Sequence, residues 1–224
     1  MTKYFSKRFA ALLVFIMLPV FTACGGPETS GLEYKETHIH IGHEEIMNGY
    51  PQSIIDPLWW AVSIYDGEKK YNEDLGRFTL PQRYVFAIQW YAAEVNNGGH
   101  AQFYYNSTGI VYPDALRGFQ EIGHQRAYDI LNETIALAGG KIPLDRSRRE
   151  KLFDRLSDSK HDAIDDLDMA FFEIDDLDEK IMEYIRANET DFYFDGIVLV
   201  PEWPELDWDS IITFAPIGTT TDEN

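Results

Sequence analysis

Residues 79–99 read TLPQRYVFAIQWYAAEVNNGG, and this stretch decides the fold class. Thr79 and Gln82 stand as the two members of a capping box around Pro81, a residue tolerated in the first turn of a helix. Tyr84, Ile88, Tyr91 and Val95 then recur at steps of four, three and four, which lays an apolar stripe along one helical face. Asn96-Asn97-Gly98-Gly99 supplies residues that accept left-handed backbone at a helix C-terminus. The expectation is a helix that ends at Asn97, with Gly98 taking the left-handed conformation just beyond it.

The same punctuation recurs on either side. Upstream, Pro57-Leu58-Trp59-Trp60-Ala61-Val62 starts an apolar helical stretch that fades at Asp66-Gly67. Downstream, His100 to Asn106 has the length of one or two helical turns, closed by Ser107, Thr108 and Gly109. A further helix opens near Pro113-Asp114, carries Leu116, Phe119, Ala127, Ile130 and Leu131, and stops at Gly139-Gly140. Gly123 falls inside it, where a missing side chain lets helices pack closely at a propensity cost of about 1 kcal/mol. Two more helical segments are expected, about Asp145 to Phe172 and Leu177 to Asn188. After Asp191 the character changes, and Phe192-Tyr193-Phe194 and Ile197-Val198-Leu199-Val200 have strand-like composition. The reading is mainly α, a compact multi-helix domain over residues 51–192. A short extended acidic segment, 193–224, wraps the body with its aromatics.

The composition suits such a domain: 224 residues, 45% hydrophobic and 14% aromatic, enough for one sizeable core. Charge is the outlier. Lys and Arg number 19 against 38 Asp and Glu, a formal −19 at pH 7. Such a balance repels phosphate backbones and anionic lipid, so direct nucleic-acid binding is excluded. Basic proteins and cations are the partners it favours.

The chain begins with a targeting segment. Lys3, Lys7 and Arg8 form a positive n-region, and Phe9 to Phe21 is an apolar run broken only by Pro19. That run is shorter than the roughly 20 residues a bilayer span needs, and it fits a secretory h-region. Phe21-Thr22-Ala23-Cys24-Gly25 resembles the bacterial lipobox, in which the Cys is acylated and becomes the new N-terminus. Cys24 is the only cysteine, so it has no internal disulfide partner. Residues 1–23 are read as a lipoprotein signal peptide, with Cys24 as the lipidation site that holds the protein on a bilayer of the bacterial cell envelope. Residues 24–50 are Gly- and Glu-rich with little periodicity and read as a tether. Their His38, His40 and His43 have a spacing that can seize a transition metal, but no Cys or further His completes a rigid site. They are expected to be part of a polar linker.

No nucleophile elbow, phosphate-cradling Gly loop, dinucleotide fingerprint or paired CxxC is present, so no catalytic or cofactor-binding residue is assigned. One constellation suggests metal chemistry. Glu121 and His124 lie three apart, Asp158 and His161 repeat that spacing, and Glu94 and Glu173 can be imagined as the remaining carboxylates of a dinuclear bundle site. A second feature is electrostatic. Between Asp162 and Glu183 stand ten carboxylates against the single base Lys180. Asp162, Asp165, Asp166, Asp168, Asp175, Asp176, Asp178 and Glu179 are the candidate partner-binding residues, able to steer a basic protein.

The stretch Glu94-Val95-Asn96-Asn97-Gly98-Gly99-His100-Ala101-Gln102-Phe103-Tyr104-Tyr105-Asn106-Ser107-Thr108-Gly109 resembles the signature of a bacterial domain family of unknown function, found in an acidic DNA-mimic protein. The pattern runs near EVxNGGFxQYFxNSxG. The resemblance extends from about Ile54 to Phe192 and includes Leu80-Pro81-Gln82-Arg83, Ile122-Gly123, Leu167-Asp168, Phe171-Phe172 and Tyr184-Ile185. It departs at His100, where the family usually has an aromatic. It implies an all-α domain and names no catalytic residue. The characterised member imitates DNA with surface carboxylates and occupies a transcription regulator, a target that a lipid-anchored envelope protein does not meet.

Read physically, Glu94, Asn96, Asn97, Gly98, Gly99, Gln102 and Asn106 form a structural corner. The amides bond backbone groups freed between two helices, and Glu94 caps the second. The alternative for the same residues is a corner that binds a polar ligand. The functional expectation is a non-enzymatic, lipid-anchored envelope protein whose acidic helical domain binds other proteins. The alternatives are a metal-binding or enzymatic helical bundle, or an immunity-type protein that neutralises a basic toxin.

Overall fold

The structure is a computed structural model that describes residues 33–202. The signal peptide 1–23, Cys24, the first part of the expected tether and residues 203–224 of the expected tail lie outside the described residues. Among those that are described, helices dominate, as the sequence led us to expect. Strand β1 (Glu33–Ile41) is followed by α1 (His43–Asn48), α2 (Pro51–Ile54), α3 (Asp56–Ala61) and α4 (Gly67–Leu75). The long α5 (Leu80–Tyr105) leads through a 3-10 turn at Ser107–Val111 into α6 (Tyr112–Glu121). Then come α7 (Gln125–Leu137), α8 (Arg146–Phe153), α9 (Asp158–Phe172) and α10 (Leu177–Ala187). A second 3-10 turn, Glu189–Phe192, and strand β2 (Phe194–Glu202) close the fold. No described helix is long and apolar enough to cross a membrane.

Helix α5 runs through the centre, and its start is the one the sequence marks. Thr79 Oγ1 accepts the Gln82 backbone N–H at 3.3 Å, while Gln82 Oε1 accepts that of Thr79 at 3.0 Å. The apolar stripe then buries Ile88, Tyr91 and Val95 completely. Around Tyr91 the rings of Phe103, Phe119 and Phe171 stand edge-on, with centroids 5.0, 5.4 and 5.1 Å away. These edge-to-face contacts join α5, α6 and α9 in one aromatic cluster.

Three expectations need correction. The helix expected from Pro113 to Gly139 is two helices. Gly123 is not in a helix interior but adopts φ +72 in the break between α6 and α7, where a Cβ would meet nothing within 4 Å. Close packing falls instead to Gly118, whose Cβ would sit 2.9 Å from Ile88 Cδ1. The segment expected from Asp145 to Phe172 also divides, because Ser157 takes extended backbone and opens α9.

The largest difference lies in the expected tether. Residues 33–41 form β1, paired antiparallel with β2 in a two-stranded ribbon, with Thr37 opposite Val198 and His40 opposite Asp195. Along β1, Thr37, Ile39 and Ile41 alternate with exposed Glu36, His38 and His40, so one face turns toward the core. Of the expected C-terminal extended segment, Phe194–Glu202 form β2, seated on α3.

Candidate functional site

The signature residues sit at a kink in α5. Gly98 has φ −155 and ψ 27, and Gly99 has φ 72 and ψ −178. The left-handed residue is therefore Gly99 and not Gly98, which corrects the expected stop by one position. Both glycines face close neighbours. A Cβ on Gly98 would lie 2.2 Å from Gln102 Oε1, and one on Gly99 would lie 2.0 Å from Asp168 Oδ2.

Across the kink, buried Glu94 uses a single oxygen. Its Oε2 accepts the Gln102 side-chain amide at 2.7 Å and the Asn106 amide at 3.0 Å. Glu94 thus ties the two halves of α5 side chain to side chain and does not cap the second N-terminus. Asn96 is exposed and Asn97 half-buried, and neither makes a side-chain hydrogen bond among the described residues.

The cap comes from far away. Asp168 Oδ1 accepts the His100 backbone N–H at 2.8 Å and is also bonded to His100 Nδ1. On the other side of the ring, Nε2 lies 2.6 Å from the Tyr91 hydroxyl. Burial, with Tyr104 and Asp168 adding to it, pushes the Tyr91 hydroxyl well above the ordinary phenol range, so it keeps its proton. The Asp168 carboxylate can only accept, so Nδ1–H donates to it, which leaves Nε2 facing the Tyr91 hydroxyl as the acceptor of its proton. His100, fully buried, fills an aromatic's place in the core while spending both nitrogens on partners.

Arg149 completes the corner. It is fully buried, and its guanidinium donates to the carbonyls of Tyr104 at 2.6 Å, Asn106 at 2.6 Å, Leu144 at 2.9 Å and Pro143 at 3.2 Å. These include carbonyls freed where α5 ends. Burial lowers its pKa to about 10. A Cβ on Gly109 would fall 2.5 Å from Arg149 Nε, so the signature's last glycine makes room for this side chain. Arg149 was missed at the sequence level because Arg146-Ser147-Arg148-Arg149 reads as a solvated basic run; no local signal separates it from its neighbours.

The suspected dinuclear set does not come together. Glu121 ends α6 and pairs with Arg117 at 2.7 Å, while His124 caps α7 rather than lying on the same helix. Both His124 nitrogens are taken, Nδ1 by the Ala127 N–H at 3.1 Å and Nε2 by Asp176 at 3.0 Å. Glu94 is enclosed in the corner, and Glu173 pairs with Arg126 at 2.7 Å. Asp158 and His161 stay on α9 without them.

The acidic face divides in two. Asp162, Asp165, Asp166, Asp175, Asp176, Asp178 and Glu179 are exposed. Asp168 is not part of that surface, since its carboxylate turns inward to His100. Asp176 doubles as the partner of His124. Among the described residues, Asp162, Asp165, Asp166 and Asp175 have no ion-pair partner.

A family model described as DMP19-like protein matches residues 76–188, from the turn before α5 to the end of α10. No curated protein and no solved structure matches the chain.

Proposed function

This chain belongs to the DMP19-like protein family, and we propose that it is a lipid-anchored envelope protein whose acidic helical domain binds a basic protein surface without catalysing a reaction. The observation that carries the reading is the row of exposed carboxylates on α9, on α10 and in the turn between them, of which Asp162, Asp165, Asp166 and Asp175 have no described cation to neutralise them. Carboxylates left unpaired in this density repel one another and gain when a cationic surface approaches. The signature corner, by contrast, is a scaffold: Glu94, Gln102 and Asn106 bond one another, and Asp168 bonds His100, which holds α9 against α5. The anchor rests on the sequence around Cys24.

One experiment tests both halves. Cells expressing wild type and Cys24→Ala are fractionated, and envelope proteins are captured on each at low and high salt. The anchor predicts loss of the variant from the membrane fraction or an unprocessed precursor. The acidic face predicts capture of basic proteins that salt releases. Unchanged membrane retention with normal signal cleavage overturns the anchor, and salt-insensitive capture overturns the electrostatic binding.

A further inference from the structure

Strand β2 breaks the pattern of its own ribbon. An antiparallel pair that turns one face to a core keeps polar side chains on the other. β1 follows that rule, with Glu36, His38 and His40 outward. On β2 the inward Val198 is buried, but beyond Asp195 the outward row reads Ile197, Leu199 and Pro201. Ile197 is 64% exposed and Leu199 55%. The register sets Ile197 against His38, Leu199 against Glu36 and Pro201 against Tyr34. Residues directly opposite share a face, so half-exposed Tyr34 joins the strip.

The strip has a direction. Its polar end, His40 with Asp195, lies toward α1. Its apolar end, Tyr34 with Leu199 and Pro201, lies where the chain arrives from Cys24. Eight residues, 25–32, separate Cys24 from Glu33. Extended chain covers at most about 3.6 Å per residue, so β1 starts within about 30 Å of Cys24. An acylated Cys24 therefore keeps this exposed apolar surface close to a bilayer.

We propose that Tyr34, Ile197 and Leu199 seat the ribbon on a zwitterionic phospholipid surface, a contact that rests on the reading of Cys24 as the lipidation site. The lipid is zwitterionic because the chain carries a formal −19, with Glu36 and Asp195 on this same face, and repels anionic headgroups. Ile197 and Leu199 reach the boundary between headgroups and acyl chains, as the apolar face of an interfacial helix does. Tyr34 fits the same depth, with its ring apolar and its hydroxyl wet. Glu36 and the Asp195–His38 pair, bonded at 2.6 Å, stay among the headgroups. Acyl chains alone hold the protein on a membrane and leave the domain free to swing. The ribbon contact fixes its orientation.

The test uses the full chain, purified from membranes, with the acyl group on Cys24 checked by mass, in phosphatidylcholine vesicles. The acyl group sits on the sulfur of the only native cysteine, so one introduced cysteine carries one environment-sensitive fluorophore. Labels at Ile197→Cys and Leu199→Cys should shift to the blue on vesicles, and acyl-chain-brominated phosphatidylcholine should quench them. Met169→Cys, at a position equally exposed at 63% but on α9, should show neither effect. Replacing half the lipid with phosphatidylglycerol should reduce the quenching at 197 and 199. Circular dichroism checks each fold, and a second measurement needs no variant: phosphatidylcholine with a photoreactive acyl chain should cross-link the unsubstituted chain within residues 194–202. Unshifted, unquenched labels on an acylated chain, or cross-links only elsewhere, overturn the ribbon contact and leave the anchor standing. Quenching at Met169 equal to that at Ile197 overturns it as well. So does self-association that hides the labels from lipid, which makes the strip an interface between copies. An unmodified Cys24 overturns the anchor and this contact together.

Discussion

The carboxylate of Asp168 on α9 accepts the backbone N–H of His100 in α5 at 2.8 Å, a bond that spans 68 residues of sequence. It stands where a helix kinks and a buried N–H loses its partner in the preceding turn. The same oxygen also holds the His100 ring, whose far nitrogen meets Tyr91. One side chain on the acidic helix therefore has a structural task, while its neighbours Asp165 and Asp166 face solvent.

Replacing Asp168 with Ala leaves a buried N–H and a buried imidazole without their acceptor. Each orphaned group costs about 1–3 kcal/mol, so Asp168→Ala should lose about 2–4 kcal/mol of stability. Asp168→Asn keeps an acceptor for the N–H and should fall between. Asp165→Ala, on the exposed face, should stay within about 0.5 kcal/mol of wild type. Urea unfolding of the three variants ranks them, and an Asp168→Ala midpoint equal to that of Asp165→Ala refutes the capping role.

The two glycines of the kink should respond differently to a methyl group. Gly99, at φ 72 and ψ −178, occupies a region that only glycine adopts readily, at a cost of about 1–3 kcal/mol for other residues. Its Cβ would also meet Asp168, which the cap holds in place. Gly98, at φ −155, does not need the positive φ that favours glycine, and its Cβ would meet the Gln102 side chain, from Oε1 at 2.2 Å to Cβ at 3.0 Å. Gly99→Ala should therefore lower the thermal midpoint more than Gly98→Ala. Equal losses would mean that contact with Gln102, through its bond to Glu94, matters as much as backbone strain.

What the sequence made legible was local. The start of α5 is encoded by Thr79, Pro81 and Gln82 within four residues, and its stripe by spacing alone. Glu94, Gln102 and Asn106 were legible as members of a corner but their bonds were not: the amides were expected on backbone groups and Glu94 at a helix N-terminus, whereas both amides donate to Glu94. What remained hidden was long-range. Nothing near Arg149 announces four carbonyls, nothing near Asp168 announces His100, and His124 gives no sign of Asp176. β1 has a period-two pattern of Thr37, Ile39 and Ile41, but it is a strand because residues 194–202 lie beside it. Every ladder hydrogen bond of a two-stranded ribbon joins a strand to a partner that no local window of sequence contains.

Asp74 gives a pH dependence with a definite sign. Burial alone would raise its carboxyl, but Lys70 at 2.8 Å, the Ser63 N–H at 3.1 Å and nearby Arg77 outweigh that and hold it below the usual carboxylate range. A depressed folded pKa means stability that is present above the unfolded value, about 3.9, and lost as pH falls through the lower folded one. Acidification also relieves repulsion among the other carboxylates, so the comparison must be with a variant. The stability gap between wild type and Asp74→Asn should be full near neutral pH and close below about pH 4. A gap that is constant down to the acid limit would place the effect in packing rather than in the charge.

The acidic face makes the last prediction. A cationic surface feels these carboxylates over about one Debye length, some 8 Å at physiological salt. Attraction of this kind acts before contact, so it speeds association and leaves dissociation nearly unchanged. Asp165→Asn, Asp166→Asn, Asp175→Asn and Asp176→Asn together remove four charges while preserving side-chain size. Asp176 also accepts from His124, an interaction that the asparagine oxygen can keep. Because Asp168 is left intact, the cap on His100 survives and the fold should hold. With a basic protein captured from the envelope, the fourfold variant should associate more slowly than wild type, and its rate should depend less steeply on ionic strength. Glu94 and His124 are untouched, so binding at the corner or a metal-centred activity would not change. Equal association rates and an equal salt response in the two proteins would make the carboxylates a solvated helix face and remove the electrostatic basis of the proposed function.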